Sequence, residues 1–236
     1  MIRPAPRARC VVVFTRTPWV EARAKRLPAA ARLFACARAR VLAAGAGSGA
    51  DVLLSSPGPA GPAPAGVRLL PQRGAAFAER VHNAFADARA RGYGEIVMVP
   101  GDVPGLLARH LRAAFGRLRS RSTVLGPSPD GGVYLLGIRG DFAPVLAGVP
   151  WRTRFVYARL AANAGRVASL APLADVDGHR HLRALRSDSA LDAELAPLVA
   201  ALLARSATPE PAAAALPSDP HRSPLASRPP PTRAAA

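Results

Sequence analysis

Ser122-Thr123-Val124-Leu125-Gly126-Pro127-Ser128-Pro129-Asp130-Gly131-Gly132-Val133-Tyr134-Leu135-Leu136-Gly137-Ile138 is the stretch on which the reading of the fold turns. A short apolar run, Thr123 to Leu125, enters a turn dense in glycine and proline, and a second run, Val133 to Ile138, leaves it. β-Branched and aromatic residues suit strands while Gly and Pro end them, so the segment predicts two strands joined by a loop. Asp130 stands at the apex, followed by Gly131 and Gly132. Paired glycines leave backbone amides bare and let the chain come close to a ligand. An Asp-Gly pair also makes ordinary surface hairpins, so the loop is informative only beside the rest of the chain.

Upstream, Cys10 to Thr15 is a continuous apolar run, the pattern of a strand buried on both faces of a parallel sheet. It feeds a loop, Arg16 to Pro18, and then a helical stretch through about Ala43, the opening of a doubly wound α/β domain. Strands are expected at Asp51–Ser55, Val67–Leu70 and Glu95–Val99. An exposed, mobile loop is expected over Pro57–Gly66. Gly74–Arg91 reads as a helix with Phe77, Val81 and Phe85 on one face, and Pro104–Arg119 as another with proline in its first turn. After the hairpin come helices near Phe142–Leu146 and Arg152–Ala164 and a strand near Val167–Leu170. Helices near His179–Arg186 and Leu191–Arg205 complete the series. The pattern predicts a three-layer, Rossmann-like, mostly parallel sheet with helices on both faces. Residues 1–9 form a basic N-terminal extension, 10–205 the domain, and 206–236 a disordered tail rich in Pro and Ala.

The formal charge of +17 invites a nucleic-acid reading. The basic residues are nevertheless spread along the whole chain, and Lys25 is the one lysine among them. The spread reads as a compositional bias toward Ala, Arg, Pro and Gly instead of a localised patch, and aromatics do not interleave as in a single-strand binder. Nucleic acid is therefore not the expected partner; a phosphate-bearing small ligand suits the arginines equally well. Cys10 and Cys36 give neither a disulfide framework nor metal spacing, which fits a reducing cytoplasm. No stretch is long enough to span a membrane, and the basic N-terminus lacks a signal-peptide core. Oligomeric state is not readable.

Asp102, Asp130 and the pair Asp175 and Asp177 all fall just past predicted strand ends. Any one of them reads plainly as a helix cap or turn residue. If the strand ends share one edge of the sheet, however, the carboxylates converge where open α/β sheets collect their ligands. Carboxylates with no supporting Cys or His suit a hard cation, Mg²⁺ or Mn²⁺, of the kind that also contacts substrate phosphates. Arg16, Arg23, Lys25 and Arg26 lie beyond the first strand and could grip phosphate, although a solvated helix face is the plainer reading for Arg23.

These elements, in order, resemble a family of uncharacterised bacterial glycosyltransferase-A-like proteins related in fold to molybdenum-cofactor and phospholactate guanylyltransferases. The family's opening Phe-x-Arg-x-Pro is matched by Phe14-Thr15-Arg16-Thr17-Pro18, and its Leu-Gly-Glu-Arg helix by Phe77-Ala78-Glu79-Arg80. Its Asp-x-Pro-x-Leu turn is Asp102-Val103-Pro104-Gly105-Leu106, and its Gly-Pro-x-x-Asp-Gly-Gly-x-Tyr-x-Leu-x-Gly element runs from Gly126 to Gly137. Trp151-Arg152-Thr153, as a helix start, and Asp175-Val176-Asp177 complete the series.

The resemblance implies a metal-dependent transferase acting on a nucleotide or nucleotide-sugar and a small-molecule acceptor. Asp102 and Asp130 would be catalytic, and Asp102 with Asp175 or Asp177 would hold the ion. Arg16, Lys25, Arg26 and Arg80 would bind phosphate; Gly131, Gly132, Tyr134, Trp151 and Thr153 would form the substrate loop. Glycosyl transfer from a nucleotide-sugar is the leading expectation, with nucleotidyl transfer and pyrophosphate release the alternative. The chain departs from the family pattern at Glu21 and Pro100, where glycine is expected, and at Ala24, where lysine is expected one place ahead of Lys25. A glutamate near phosphate would repel it, and proline removes an amide donor, so an impaired nucleotide-binding or partner-binding homologue is a further alternative.

Overall fold

The computed structural model of the chain describes residues 8–58, 63–186 and 193–207. The expected mobile segment lies partly, and the expected disordered tail and N-terminal extension almost wholly, outside these residues. β1 (Arg9–Phe14), α1 (Pro18–Ala24), α2 (Ala31–Ala46), β2 (Asp51–Ser55) and β3 (Val67–Leu69) open the domain. α3 (Phe77–Ala90), β4 (Glu95–Pro100), α4 (Ala108–Leu118) and the hairpin β5 (Thr123–Pro127) and β6 (Val133–Arg139) follow. α5 (Ala143–Leu146), α6 (Val156–Ala164), β7 (Val167–Ser169), α7 (His179–Arg186) and α8 (Leu195–Ala207) complete it.

The seven strands form one sheet in the order β3-β2-β1-β4-β6-β5-β7. β1 pairs parallel with β2 and β4, with Phe14 opposite Pro100 at the shared C-terminal edge. β6 alone runs antiparallel, to β4 on one side and β5 on the other. β5 therefore points the same way as β4, and β7 pairs parallel with β5. The loops after β1, β4, β5 and β7 all leave one edge, as the strand-end carboxylates required.

Successive side chains of a strand face opposite layers, and the core divides accordingly. Cys10, Val12, Ile96 and Leu136 pack with Phe85 of α3 and Leu160 of α6 on one face. Val11, Val13, Val97 and Leu135 pack with Val41 of α2 and Phe115 of α4 on the other. Each such burial is worth about 1.5–3 kcal/mol. A third cluster joins α1, α2, α7 and α8 through Ala22, Leu33, Phe34, Leu182 and Leu195, and it takes in Val176.

Several expected helix boundaries move, and α3 begins at Phe77 instead of Gly74. The stretch to Ala43 is not one helix: α1 stops at Ala24, Arg26 adopts φ +57°, and a 3-10 turn at Pro28–Ala30 leads into α2, which continues to Ala46. Proline at position 28 has no amide hydrogen to continue a helix from α1. α4 begins at Ala108 instead of Pro104, because the buried side chains of Val103 and Leu106 pin residues 103–107 as a turn closed by Leu106 N–H to Val103 O (3.1 Å). α6 begins at Val156 instead of Arg152, which sits at φ +66° in a turn. Thr153 Oγ1 there accepts the Phe155 amide hydrogen at 3.3 Å.

Candidate active site

The C-terminal edge of the sheet opens into a cavity of about 590 Å³. Each wall comes from a different connection. The β1–α1 turn brings Arg16, α1 brings Glu21, and the turn after α1 brings Lys25 and Arg26; the β4–α4 turn brings Asp102. The hairpin loop brings Asp130 and Gly132, the β6–α6 connection brings Trp151 to Arg154, and the β7–α7 connection brings Asp175 and Asp177. Arg80 reaches it from α3.

Asp102 is not the cap of α4, whose N-cap is Leu107. Its residue is 6 % exposed, and its carbonyl accepts the amide hydrogen of Val176 at 3.1 Å. Val176 is itself anchored in the third core cluster. That backbone bond and that apolar anchor hold the 175–177 turn against the end of β4. Oxygens of Asp102, Asp175 and Asp177 consequently lie within 4.8 Å of one another, close enough for one cation. Lys25 donates to Asp102 Oδ2 and, at 2.5 Å, to Asp177 Oδ1. Among the described residues, Asp102 Oδ1 is buried without a hydrogen-bond partner.

The electrostatics follow from crowding four carboxylates around one ammonium. Burial, then the neighbouring Asp177 and Asp102, push the Asp175 carboxyl up to about 7. Burial would also raise Asp177, but the Lys25 ammonium outweighs it, and a hydrogen bond from Asp175 adds to the lowering. Burial opposes the charge on Lys25, yet Asp102 and Asp177 hold its ammonium above its ordinary range. Glu21, 8 % exposed, is raised by burial and then by Asp102. It is not the free repulsive carboxylate that the sequence suggested. Its Oε1 lies 3.4 Å from Arg16 Nη1 and 3.8 Å from Lys25 Nζ, so Glu21 ties together two cations expected to bind phosphate.

The hairpin loop divides its roles. Asp130 faces the cavity, but its Oδ1 accepts the Gly132 amide hydrogen at 2.9 Å, bracing its own turn. Gly131 does not line the cavity. It sits at φ +89°, with its carbonyl accepting the Tyr157 amide hydrogen, and a Cβ there would meet the Arg154 carbonyl oxygen at 2.2 Å. Its lack of a side chain serves the approach of the Arg154 turn. Tyr134, expected in the substrate loop, is 1 % exposed in the core, and its hydroxyl donates to the Ala171 carbonyl at 3.0 Å. The alternation of strand β6 turns it away from the cavity.

Several lining residues lie outside the expected set of site residues. Arg152 and Arg154 flank the expected Thr153, and that spacing could have pointed to them. Phe77 packs between Phe14, edge-on, and Trp151, tilted, with ring centroids 5.7 Å apart on each side, and makes an apolar wall. Gln72 Nε2 is spent on the carbonyls of Thr15 (3.1 Å) and Ser55 (3.0 Å), which fixes the amide in the wall.

A family model described as "Uncharacterized protein conserved in bacteria (DUF2064)" matches residues 29–153, which include Asp102 and the whole hairpin. A 3-phospho-D-glycerate guanylyltransferase from Phenylobacterium zucineum (strain HLK1) is 41 % identical over 71 residues, 30 % of this chain. The chain spans 29 % of that relative's length. A crystal structure from Desulfovibrio desulfuricans G20, provisionally described as a nucleotide-diphospho-sugar transferase, superposes with a TM-score of 0.70 at 25 % identity. It covers 84 % of this chain and 97 % of that one. Rv0371c from Mycobacterium tuberculosis H37Rv shares the fold at a TM-score of 0.51 and 18 % identity, covering 75 % of this chain and 97 % of its own. The α/β architecture implied by the family resemblance is the one these structures share. No helix among the described residues is long and apolar enough to cross a membrane.

Proposed function

The chain belongs to this bacterial DUF2064 family, and we propose that it is a nucleotidyltransferase joining a nucleoside triphosphate to a phosphorylated small molecule. The observation that carries the reading is the pairing, in one cavity, of an ion-sized carboxylate triad with guanidinium groups from three separate connections. The guanylyltransferase relative supports the choice of nucleotidyl transfer over glycosyl transfer.

The residues fit a divalent ion. Asp102, Asp175 and Asp177 offer hard oxygen donors within reach of one another, and Asp102 Oδ1 has no other partner among the described residues. An ion held there would neutralise triphosphate charge as a Lewis acid. The rest of the chemistry belongs to the chain. Arg16, Arg26 and Arg80 would hold phosphate oxygens by charge-assisted, bidentate bonds. Arg152 and Arg154 would orient the acceptor phosphate, and the Phe14–Phe77–Trp151 wall would exclude water. In the step itself an acceptor phosphate oxygen attacks the α-phosphorus, the bond to the β-phosphate bridge breaks, and pyrophosphate leaves. Positioning and electrostatics supply such catalysis, so no strong base is needed.

A direct assay measures pyrophosphate from each nucleoside triphosphate with Mg²⁺ and 3-phospho-D-glycerate as the first acceptor. The expected result is release that needs acceptor and metal together and falls by about 10²-fold or more in Asp102→Asn. The Desulfovibrio neighbour favours a second reading, glycosyl transfer from a nucleotide-sugar. Nucleoside diphosphate released from a nucleotide-sugar, with no pyrophosphate from any triphosphate, would establish that reading instead. Nucleotide binding with no turnover of either donor would identify an impaired homologue.

A further inference from the structure

Lys25 is the one lysine in a chain with 32 basic residues, and it stands among the carboxylates of the cavity. We propose that Lys25 is a resident cation of this site, seated where a divalent ion would sit, and that the ion binds by displacing its ammonium. The inference rests on the metal-site reading given above.

The geometry is that of an ion with protein ligands. Nζ bonds Asp102 Oδ2 and Asp177 Oδ1, approaches Glu21 Oε1 at 3.8 Å, and belongs to a side chain only 11 % exposed. A compact ammonium can take the place of an ion among three carboxylates, whereas the planar guanidinium used at every other basic position is too broad for a point between them. The occupant is nevertheless a poor substitute. It brings one positive charge to a cluster that also contains Asp175, and it leaves Asp102 Oδ1 unspent. A divalent ion brings two charges and can take an oxygen from each aspartate.

The lysine is also built to leave. Its backbone is fixed: the Lys25 amide hydrogen bonds Glu21 O at 3.0 Å, and Ala22 and Leu27 on either side are buried in the third cluster. The four-carbon stem can swing its head without moving that backbone. Arg16 and Arg26 line the same cavity, so a displaced ammonium would join the cations available to bound phosphate. Until an ion arrives, Lys25 keeps the aspartates from repelling one another. Once it arrives, the same ammonium can turn to the phosphates that accompany the ion.

The test is a Mn²⁺ titration, followed by the paramagnetic resonance signal of free Mn²⁺, on the native chain and on Lys25→Met, Lys25→Arg and Asp102→Asn. Removing a full charge within hydrogen-bond distance of the ligands changes ion affinity by on the order of tenfold or more. Lys25→Met is therefore expected to bind Mn²⁺ at least tenfold more tightly than the native chain, while Lys25→Arg, whose guanidinium does not fit between the carboxylates but keeps its charge beside them, gains less than Lys25→Met. Without metal, Lys25→Met is expected to melt below the native chain, and saturating Mn²⁺ to close the gap. If Lys25→Met does not melt cooperatively, Lys25→Gln replaces it. Equal or weaker Mn²⁺ affinity in the neutral variants, with binding still lost in Asp102→Asn, overturns the displacement and leaves the metal site standing. Absence of Mn²⁺ binding in every form overturns both.

Discussion

Gly131→Ala and Gly132→Ala add the same methyl group to neighbouring positions of one loop, and the structure separates their outcomes. At residue 131 the backbone lies at φ +89°, where an L side chain costs roughly 1–2 kcal/mol. The new Cβ would stand 2.2 Å from the Arg154 carbonyl oxygen, inside the 3.0 Å that such contacts keep. Backbone must therefore retreat, which weakens the bond from Tyr157 N–H to Gly131 O (3.1 Å) and adds about 0.5–1.5 kcal/mol. The sum is about 1.5–3.5 kcal/mol, a fall in melting temperature of roughly 3–14 °C for a domain of this size. At residue 132 φ is not positive, and the nearest obstacle is Asp130 Oδ1 at 3.1 Å, a side-chain atom that can move. The expected cost there is below about 1 kcal/mol. Urea unfolding followed by far-UV circular dichroism gives the totals, and Trp151 fluorescence reports the cavity wall. Gly131→Ala is also expected to weaken nucleotide-induced stabilisation, because the displaced turn carries Arg152 and Arg154. Equal costs, or a larger cost at 132, would refute the assignment of Gly131 to backbone packing.

Two further predictions concern the frame of the site. Tyr134→Phe removes the hydroxyl that donates to Ala171 O, so it should cost about 1 kcal/mol of stability and leave the nucleotide KM unchanged; a KM several-fold higher would show that Tyr134 touches substrate. Asp175 should make the metal-free protein lose stability as pH rises. Its carboxyl is raised from 3.8 to about 7, so the folded state holds the extra proton between those values. The contribution is therefore complete below about pH 4 and gone above about pH 7, with a slope of up to about 1.4 kcal/mol per pH unit. Urea midpoints at pH 5, 6 and 7 in the presence of a chelator should fall more steeply for the native chain than for Asp175→Asn, and parallel slopes would contradict the burial of that carboxyl.

The sequence by itself determined the architecture. Its apolar runs at Cys10–Thr15 and Glu95–Val99 cannot be covered on one face only, and its Gly-Pro-rich turn between two apolar segments can only be a hairpin in such a sheet. It also set the carboxylates at strand ends, because that position follows from chain order and from parallel pairing. Helix starts were less readable. The turns at residues 103–107 and 152–155 are fixed by the burial of Val103 and Leu106 and by the Thr153 hydroxyl, which are matters of packing and not of local preference. What each side chain in the site touches was a tertiary matter altogether. Lys25 and Asp177 are separated by most of the chain, and they meet because Val176 is buried against α2, α7 and α8 and bonded to the end of β4. Glu21 became a partner of Arg16 and Lys25, and Gly131 a seat for the Arg154 turn, for the same reason. Sequence spacing sets which residues reach an edge of the sheet, but charge pairing and steric exclusion act between segments that only the folded chain brings together.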